Sequence, residues 1–140
     1  MMTPEELSAF LDREQPALLG VVATRRADGS PQAVPIWYRW TGEAVTVWSD
    51  AERIWVKNIR RDPRVAFSAQ EEGEPYAAVL MRGLAEVETG ESESVRAEIL
   101  AITRRYVPAD EVEPYVARWA SIRTIVTIRP ERITSWASAY

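Results

Sequence analysis

The chain has neither histidine nor cysteine in its 140 residues. Those absences exclude a serine–histidine hydrolase, a thiol nucleophile, a disulfide framework and a zinc or haem site built on the usual nitrogen and sulfur ligands. They also remove the commonest general base at neutral pH. An enzyme of this composition either works through carboxylates, tyrosines and arginines, or leaves the chemistry to a bound organic cofactor that the protein orients. We expect the second. Long hydrophobic runs are missing too: ALLGVVA at 17–23 is among the longest and falls far short of membrane-spanning length. The N-terminal MMTPEELSAF lacks the basic-then-apolar pattern of a secretory signal, so a cytoplasmic protein with no membrane partner is expected. The length fits one domain over residues 1–140 and is too short for a nucleotide domain plus a separate substrate domain.

Lysine is nearly absent as well, and its single occurrence is informative. Lys57 follows Arg53 by four residues, in the segment SDAERIWVKNIRRDPRVAF at 49–67. Two cations at that spacing share a helix face and repel by roughly a few tenths of a kcal/mol, which favours an anion between them, with phosphate the first candidate. From Arg53 to Arg64 five cations (Arg53, Lys57, Arg60, Arg61, Arg64) meet one anion, Asp62, in a chain whose net charge is −4. One concentrated basic segment in an acidic chain suits a small anionic ligand better than a long nucleic acid. A helix beginning near Asp50 to Arg53 would add its free amides and dipole to such a cradle. The competing reading is a solvated face, partly neutralised by Glu52 and Asp62.

Patterning predicts a helix over 3–14, with Thr3 as cap, Pro4 in the first turn and Leu7, Phe10 and Leu11 as its apolar stripe. Strands are predicted over 17–24, 32–40 and 44–49, joined by turns at Asp28-Gly29 and Thr41-Gly42. A helix over 52–61 stops at Asp62-Pro63, and strands follow over 64–70 and 76–89, the second bent or bulged at Gly83. Residues 91–106 read as a helix with Val95, Ile99 and Ile102 inward. Pro108 and Pro114 bracket a short helical piece, and strands over 123–130 and 132–138 flank a turn at Pro130-Glu131. The fold class is therefore α+β, mainly β: six to seven antiparallel strands in a small barrel with flanking helices.

Trp37, Tyr38, Trp40, Trp48 and Trp55 crowd into nineteen residues. Strand alternation places Ile36, Tyr38 and Trp40 on one face and Trp37 with Arg39 on the other, so the rings divide between a core and a cleft or partner surface. Pro35, inside a strand, implies an edge or a bulge. Aromatic strands beside a phosphate cradle also occur in barrel-type binders of single-stranded nucleic acid, a rival that the acidic net charge disfavours.

Taken in order, DGSPQAVPIWYRW, a strand ending in Ser49, R-x-x-x-K-N-I-x-x-D-P-R-V-A from Arg53 to Ala66, and R-G-x-A from Arg82 resemble the pyridoxamine 5′-phosphate oxidase-like split β-barrel superfamily. Within it they resemble the deazaflavin reductases that use coenzyme F-420. The resemblance covers roughly residues 15–137 and implies an FMN-binding-type split barrel, a homodimer with cofactor at the subunit interface, and hydride transfer to a small conjugated organic substrate. It assigns Arg53 and Lys57 to the cofactor phosphate, Ser49 to a hydroxyl at the strand end, and Gln32, Val34 and Pro35 to the strand beneath the ring. Arg82 and Gly83 match the strand that approaches from the partner subunit, and Arg60, Arg61 and Arg64 are candidates for the acidic tail of F-420. No catalytic side chain is assigned, although Tyr38 is a candidate proton donor besides solvent. The alternatives are FMN as cofactor, and a cofactor carrier without turnover. Vitamin B6 oxidation is not expected, since the chain is short of the oxidases' length and of their C-terminal arginine motif.

Overall fold

A computed structural model describes residues 1–119 and 123–137. Helix α1 (Pro4–Leu11) opens with a capping box, in which the Thr3 hydroxyl accepts from the Glu6 amide and the Glu6 carboxylate accepts from the Thr3 amide. Pro4 sits where an amide would have no acceptor in any case. The helix is shorter than predicted; Leu11 is fully buried, and Leu7 and Phe10 pack against the same core.

β1 (Gly20–Arg25) and β2 (Pro31–Ile36) form the hairpin expected from Asp28-Gly29. Gly29 takes φ +90°, and the Asp28 carboxylate accepts from both the amide and the hydroxyl of Ser30. The single strand predicted over 32–40 is divided. After Trp37 and Tyr38 the chain resumes as β3 (Arg39–Trp40), which pairs with β4 (Val45–Ser49) and not with β2. The alternation of faces survives this break, because Ile36, Tyr38 and Trp40 join one apolar core while Trp37 packs against a second.

α2 (Ile54–Arg61) leads to β5 (Arg64–Gln70) and β6 (Ala77–Thr89). α3 (Glu93–Thr103) begins at Ser92, whose hydroxyl accepts from the Val95 amide, and α4 (Val112–Arg118) follows a 3-10 turn at Ala109–Glu111. Pro114 does not bracket this last helix but lies in its first turn, where its missing amide costs nothing. β7 (Thr124–Ala137) closes the described chain.

The described residues form one antiparallel sheet of seven strands in the order β2-β1-β5-β6-β7-β4-β3, with four α-helices. Its two edge strands, β2 and β3, are joined by only two residues. Three Cα steps span at most about 11 Å, so the sheet must curl until its edges nearly meet. They remain unpaired, which makes a split barrel rather than a closed one. Val22, Tyr38, Val56, Phe67, Val79 and Val126 are buried together inside, with α2 packed against β1 and β6. Val95, Ile99 and Ile102 of α3 pack with Val112 and Val116 of α4 against Ile125 as a second core outside the sheet.

The predicted C-terminal pair of strands is instead one. β7 runs beside β6 throughout, and the register passes from Arg82 opposite Arg132 to Gly83 opposite Pro130. Glu131 is therefore the extra residue of a bulge and not half of a turn. Pro130, which has no amide to donate, is tolerated at such a break. Ser138, predicted as the strand's end, lies outside the described residues. No described helix is long and apolar enough to cross a membrane.

Candidate functional site: a cleft at the free edge of the sheet

β4 ends at Ser49, and a tight turn carries the chain into α2. The Asp50 carboxylate accepts from the Glu52 amide at 2.9 Å, and the Asp50 carbonyl accepts from the Arg53 amide at 3.1 Å. Arg53 is the N-cap of α2 in extended conformation, and its carbonyl accepts from the amides of Val56 and Lys57. Its guanidinium makes no cap bond and has no side-chain partner among the described residues. The first amides of α2 have no acceptor within the helix, so the helix's partial positive end and a free guanidinium stand together.

A cleft of about 710 Å³ opens beside this turn. It is lined by Gln32, Val34 and Pro35 of the edge strand β2 and by Ser49, Arg53 and Trp55. The rest of the lining is largely aromatic, with Trp37 from the link between β2 and β3, Trp48 from β4, Tyr115 from α4 and Trp119 at that helix's C-terminal cap. Five predicted residues, Gln32, Val34, Pro35, Ser49 and Arg53, thus line one cavity.

Gln32 also helps to hold the cleft's shape. The Asn58 amide nitrogen donates to the Gln32 side-chain oxygen at 3.0 Å and to the Thr24 hydroxyl at 3.1 Å, while the Asn58 oxygen accepts from Arg61 at 3.1 Å. Asn58 is buried, and with every polar atom satisfied it fastens α2 to β1 and β2. The sequence reading assigned it no role, although it stands inside the K-N-I motif. Tyr115 and Trp119 were also missed; an aromatic pair four residues apart, one in α4 and one at its C-terminal cap, was the available signal.

Lys57 does not line the cleft. Its Nζ lies 3.0 Å from the carboxylate of Glu52, which does line it. Glu52 thus partners Lys57 alone, and among the described residues no anion stands between Lys57 and Arg53. Both partners are largely exposed, and such a pair is weak enough to yield to a stronger anion. Tyr38 is not in the cleft either: it is fully buried, its hydroxyl donates to the Leu11 carbonyl at 2.8 Å, and the Arg105 guanidinium lies over its ring. Burial pushes its ionisation well above the ordinary tyrosine value, so a role as proton donor to the cleft is withdrawn.

Arg82 and Gly83 lie elsewhere, in a second hollow of about 480 Å³ with Arg64, Glu131 and Arg132. A Cβ on Gly83 would fall 2.1 Å from the Arg129 carbonyl oxygen, so the close passage of β7 requires glycine there. Arg82 and Arg132 face each other directly across the two strands, and neither guanidinium has an ion-pair partner among the described residues. By contrast Arg60 donates to the Thr89 hydroxyl, Arg61 to the Arg25 carbonyl, and Arg64 is paired with Asp62.

The sequence profile for pyridoxamine 5′-phosphate oxidase matches residues 3–137. The chain belongs to that family. A conserved hypothetical protein of Mycobacterium tuberculosis shares 28% identity, with 99% of this chain and 86% of that one covered at a TM-score of 0.82. A solved structure named as an F-420 reductase also shares 28%, covering 91% of this chain and 94% of that one at a TM-score of 0.69. A Listeria innocua protein provisionally named a pyridoxamine 5′-phosphate oxidase has 22% identity, coverages of 94% and 96%, and a TM-score of 0.69, a likeness of fold. No curated protein matches the sequence. The split barrel of this family is a fold that binds flavin-type cofactors, and the family includes oxidoreductases.

Proposed function

We propose that the protein is an oxidoreductase that binds a deazaflavin of the coenzyme F-420 type in the 710 Å³ cleft and transfers hydride between it and a small conjugated organic molecule. The observation that carries this reading is the unpartnered guanidinium of Arg53 at the α2 N-terminus, beside Ser49 and the β2 edge in one cavity. The likeness to an F-420 reductase supports it.

The residues fit a phosphate-bearing planar group. Arg53 and the first amides of α2 would take the phosphate, Ser49 adds a hydroxyl, and Lys57 joins them if Glu52 releases it. Gln32, Val34 and Pro35 present a strand edge to the ring, while Trp55 and the aromatic lining exclude water. When bound, the cofactor would supply the hydride-transferring carbon, which accounts for a site without histidine or cysteine. FMN as the cofactor is the second reading, favoured by the family match.

The same proposal includes a homodimer in the cytoplasm. Val21, Leu80 and Leu84 are exposed on the outer face of the sheet, where Val21, Ser68 and Leu80 are neighbours across β1, β5 and β6. A second copy would cover that face and bring the hollow at Arg82 and Gly83 towards the partner's cleft. With Arg60, Arg61 and Arg64 bonded locally, the free pair Arg82 and Arg132 becomes the better candidate for an acidic tail.

The test is to titrate the purified protein separately with coenzyme F-420 and with FMN, following cofactor fluorescence, and then to mix the reduced complex with menadione in a single turnover. Saturable F-420 binding and reoxidation faster than the protein-free rate are expected. Binding of neither cofactor would overturn the proposal, and binding without accelerated reoxidation would reduce it to a carrier.

A further inference from the structure

A glutamine amide can usually turn either end towards a ligand; that of Gln32 cannot, for a reason that lies outside the cleft. An amide side chain has an oxygen that only accepts and a nitrogen that only donates, and a guanidinium has donors alone. The Arg61 guanidinium lies 3.1 Å from one branch of the Asn58 amide, which must therefore be the oxygen. The other branch is the nitrogen, 3.1 Å from the Thr24 hydroxyl and 3.0 Å from the Gln32 amide. Thr24 and Gln32 stand opposite each other on β1 and β2, so each takes one of its hydrogens. Gln32 has to answer with its oxygen. Its own nitrogen is left without a protein partner among the described residues, on a side chain that lines the 710 Å³ cleft.

The setting starts from a residue that stays charged. The Arg61 nitrogen that bonds Asn58 also donates to the Arg25 carbonyl at 2.6 Å, which ties it to the end of β1. Asn58 is only 3% exposed, so water does not replace its partners. Turning Gln32 round would set two amide nitrogens against each other and leave a buried donor without an acceptor.

We infer that Arg61 and Asn58 are positioning residues that fix Gln32 as a hydrogen-bond donor to the cleft, so that the rim of the bound ring facing β2 carries an acceptor, a carbonyl oxygen and not an N–H. The inference rests on the proposed cofactor reading and deepens it. Arg53 would set where the cofactor lies; the Gln32 nitrogen sets which way round its ring is held.

Asn58→Asp tests this, because a carboxylate keeps the shape and the Arg61 contact but has no hydrogen to give. Thr24 can turn its hydroxyl to donate, whereas Gln32 must turn its nitrogen to the carboxylate and its oxygen to the cleft. NMR hydrogen exchange of the side-chain amides in the cofactor-free wild type should show slow Asn58 and fast Gln32 hydrogens, and slow Gln32 hydrogens in Asn58→Asp. Fluorescence titration with coenzyme F-420 should show Asn58→Asp weakening binding roughly tenfold. The same substitution made in Gln32→Ala should cause no further loss, since it acts only through Gln32. Arg61→Ala, at an exposed position, frees the orientation without adding charge or opening the core, and should weaken binding severalfold, again only where Gln32 is present. Slow Gln32 hydrogens in the wild type, unchanged affinity in both variants, or a loss that persists in Gln32→Ala would each overturn the inference. Absence of cofactor binding by the wild type would overturn the functional reading, and the amide exchange would still decide whether Gln32 is fixed as a donor.

Discussion

Arg53 and Lys57 share a helix face, yet the structure gives them different surroundings: one guanidinium stands free at the cleft, and one ammonium is held by Glu52. Spacing favoured an anion between them and could not decide against a solvated face; a carboxylate one residue before Arg53 takes the lysine and leaves the guanidinium open. A competition follows. If phosphate displaces Glu52, Glu52→Gln should free Lys57 and tighten F-420 binding severalfold. Lys57→Ala should weaken it about tenfold, the loss of one hydrogen bond to a charged group. Fluorescence titration of the two variants checks both signs; no change in either returns Lys57 to a solvated surface role. Asn58 illustrates a second limit of residue-level reading. A buried asparagine reads as polar in the sequence, and only the convergence of Thr24, Gln32 and Arg61 on it shows that it is a fastener.

At the scale of elements, local chemistry was legible wherever one segment decides its own conformation. The capping box at Thr3 and Glu6, the Asp28-Gly29 hairpin and the inward face of α3 needed no distant partner. The errors fell where pairing is chosen at long range. Residues 32–40 carry one unbroken alternation, but β2 takes β1 as its partner and β3 takes β4, so the strand is cut without any local breaker at Trp37 and Tyr38. Pro130 and Glu131 look like a turn until β6, itself thirteen residues long, supplies a ladder on both sides of them. Gly83 is the element-scale test of that bulge. Its missing side chain faces backbone, which cannot move aside as a side-chain tip would, so Gly83→Ala should cost at least about 1–3 kcal/mol. Asn58→Ala should cost roughly 1–3 kcal/mol by leaving its partners unpaired. Urea unfolding of both variants measures these losses, and an unchanged midpoint in either would mean that the contact is not made in solution.

For the whole molecule, the decisive constraint is that the two sheet edges are linked by two residues, which curls the sheet and leaves a cleft where the edges fail to pair. Carboxylates hold the outside of this arrangement. Arg13 bonds Glu71 and keeps its carboxyl below the ordinary 4.5, and the side chain and amide of Arg64 do the same for Asp62 from 3.8. Both groups have lower folded than unfolded values, so their contribution is present above those ordinary values and is lost as pH falls through the lowered ones. Asp12, raised by burial, acts in the opposite sense. The urea midpoint should therefore fall between about pH 5 and pH 3, and Glu71→Gln should flatten that fall; a slope equal to wild type would remove the ion pair from the account.

The claim on which the rest depends is that the free edge of this curled sheet holds a phosphate-bearing cofactor through Arg53. The dissociation constant of coenzyme F-420 for the wild type and for Arg53→Gln measures it directly. The account predicts saturable binding by the wild type and at least about a tenfold loss in the variant; no binding by the wild type, or equal constants for the two proteins, would contradict it.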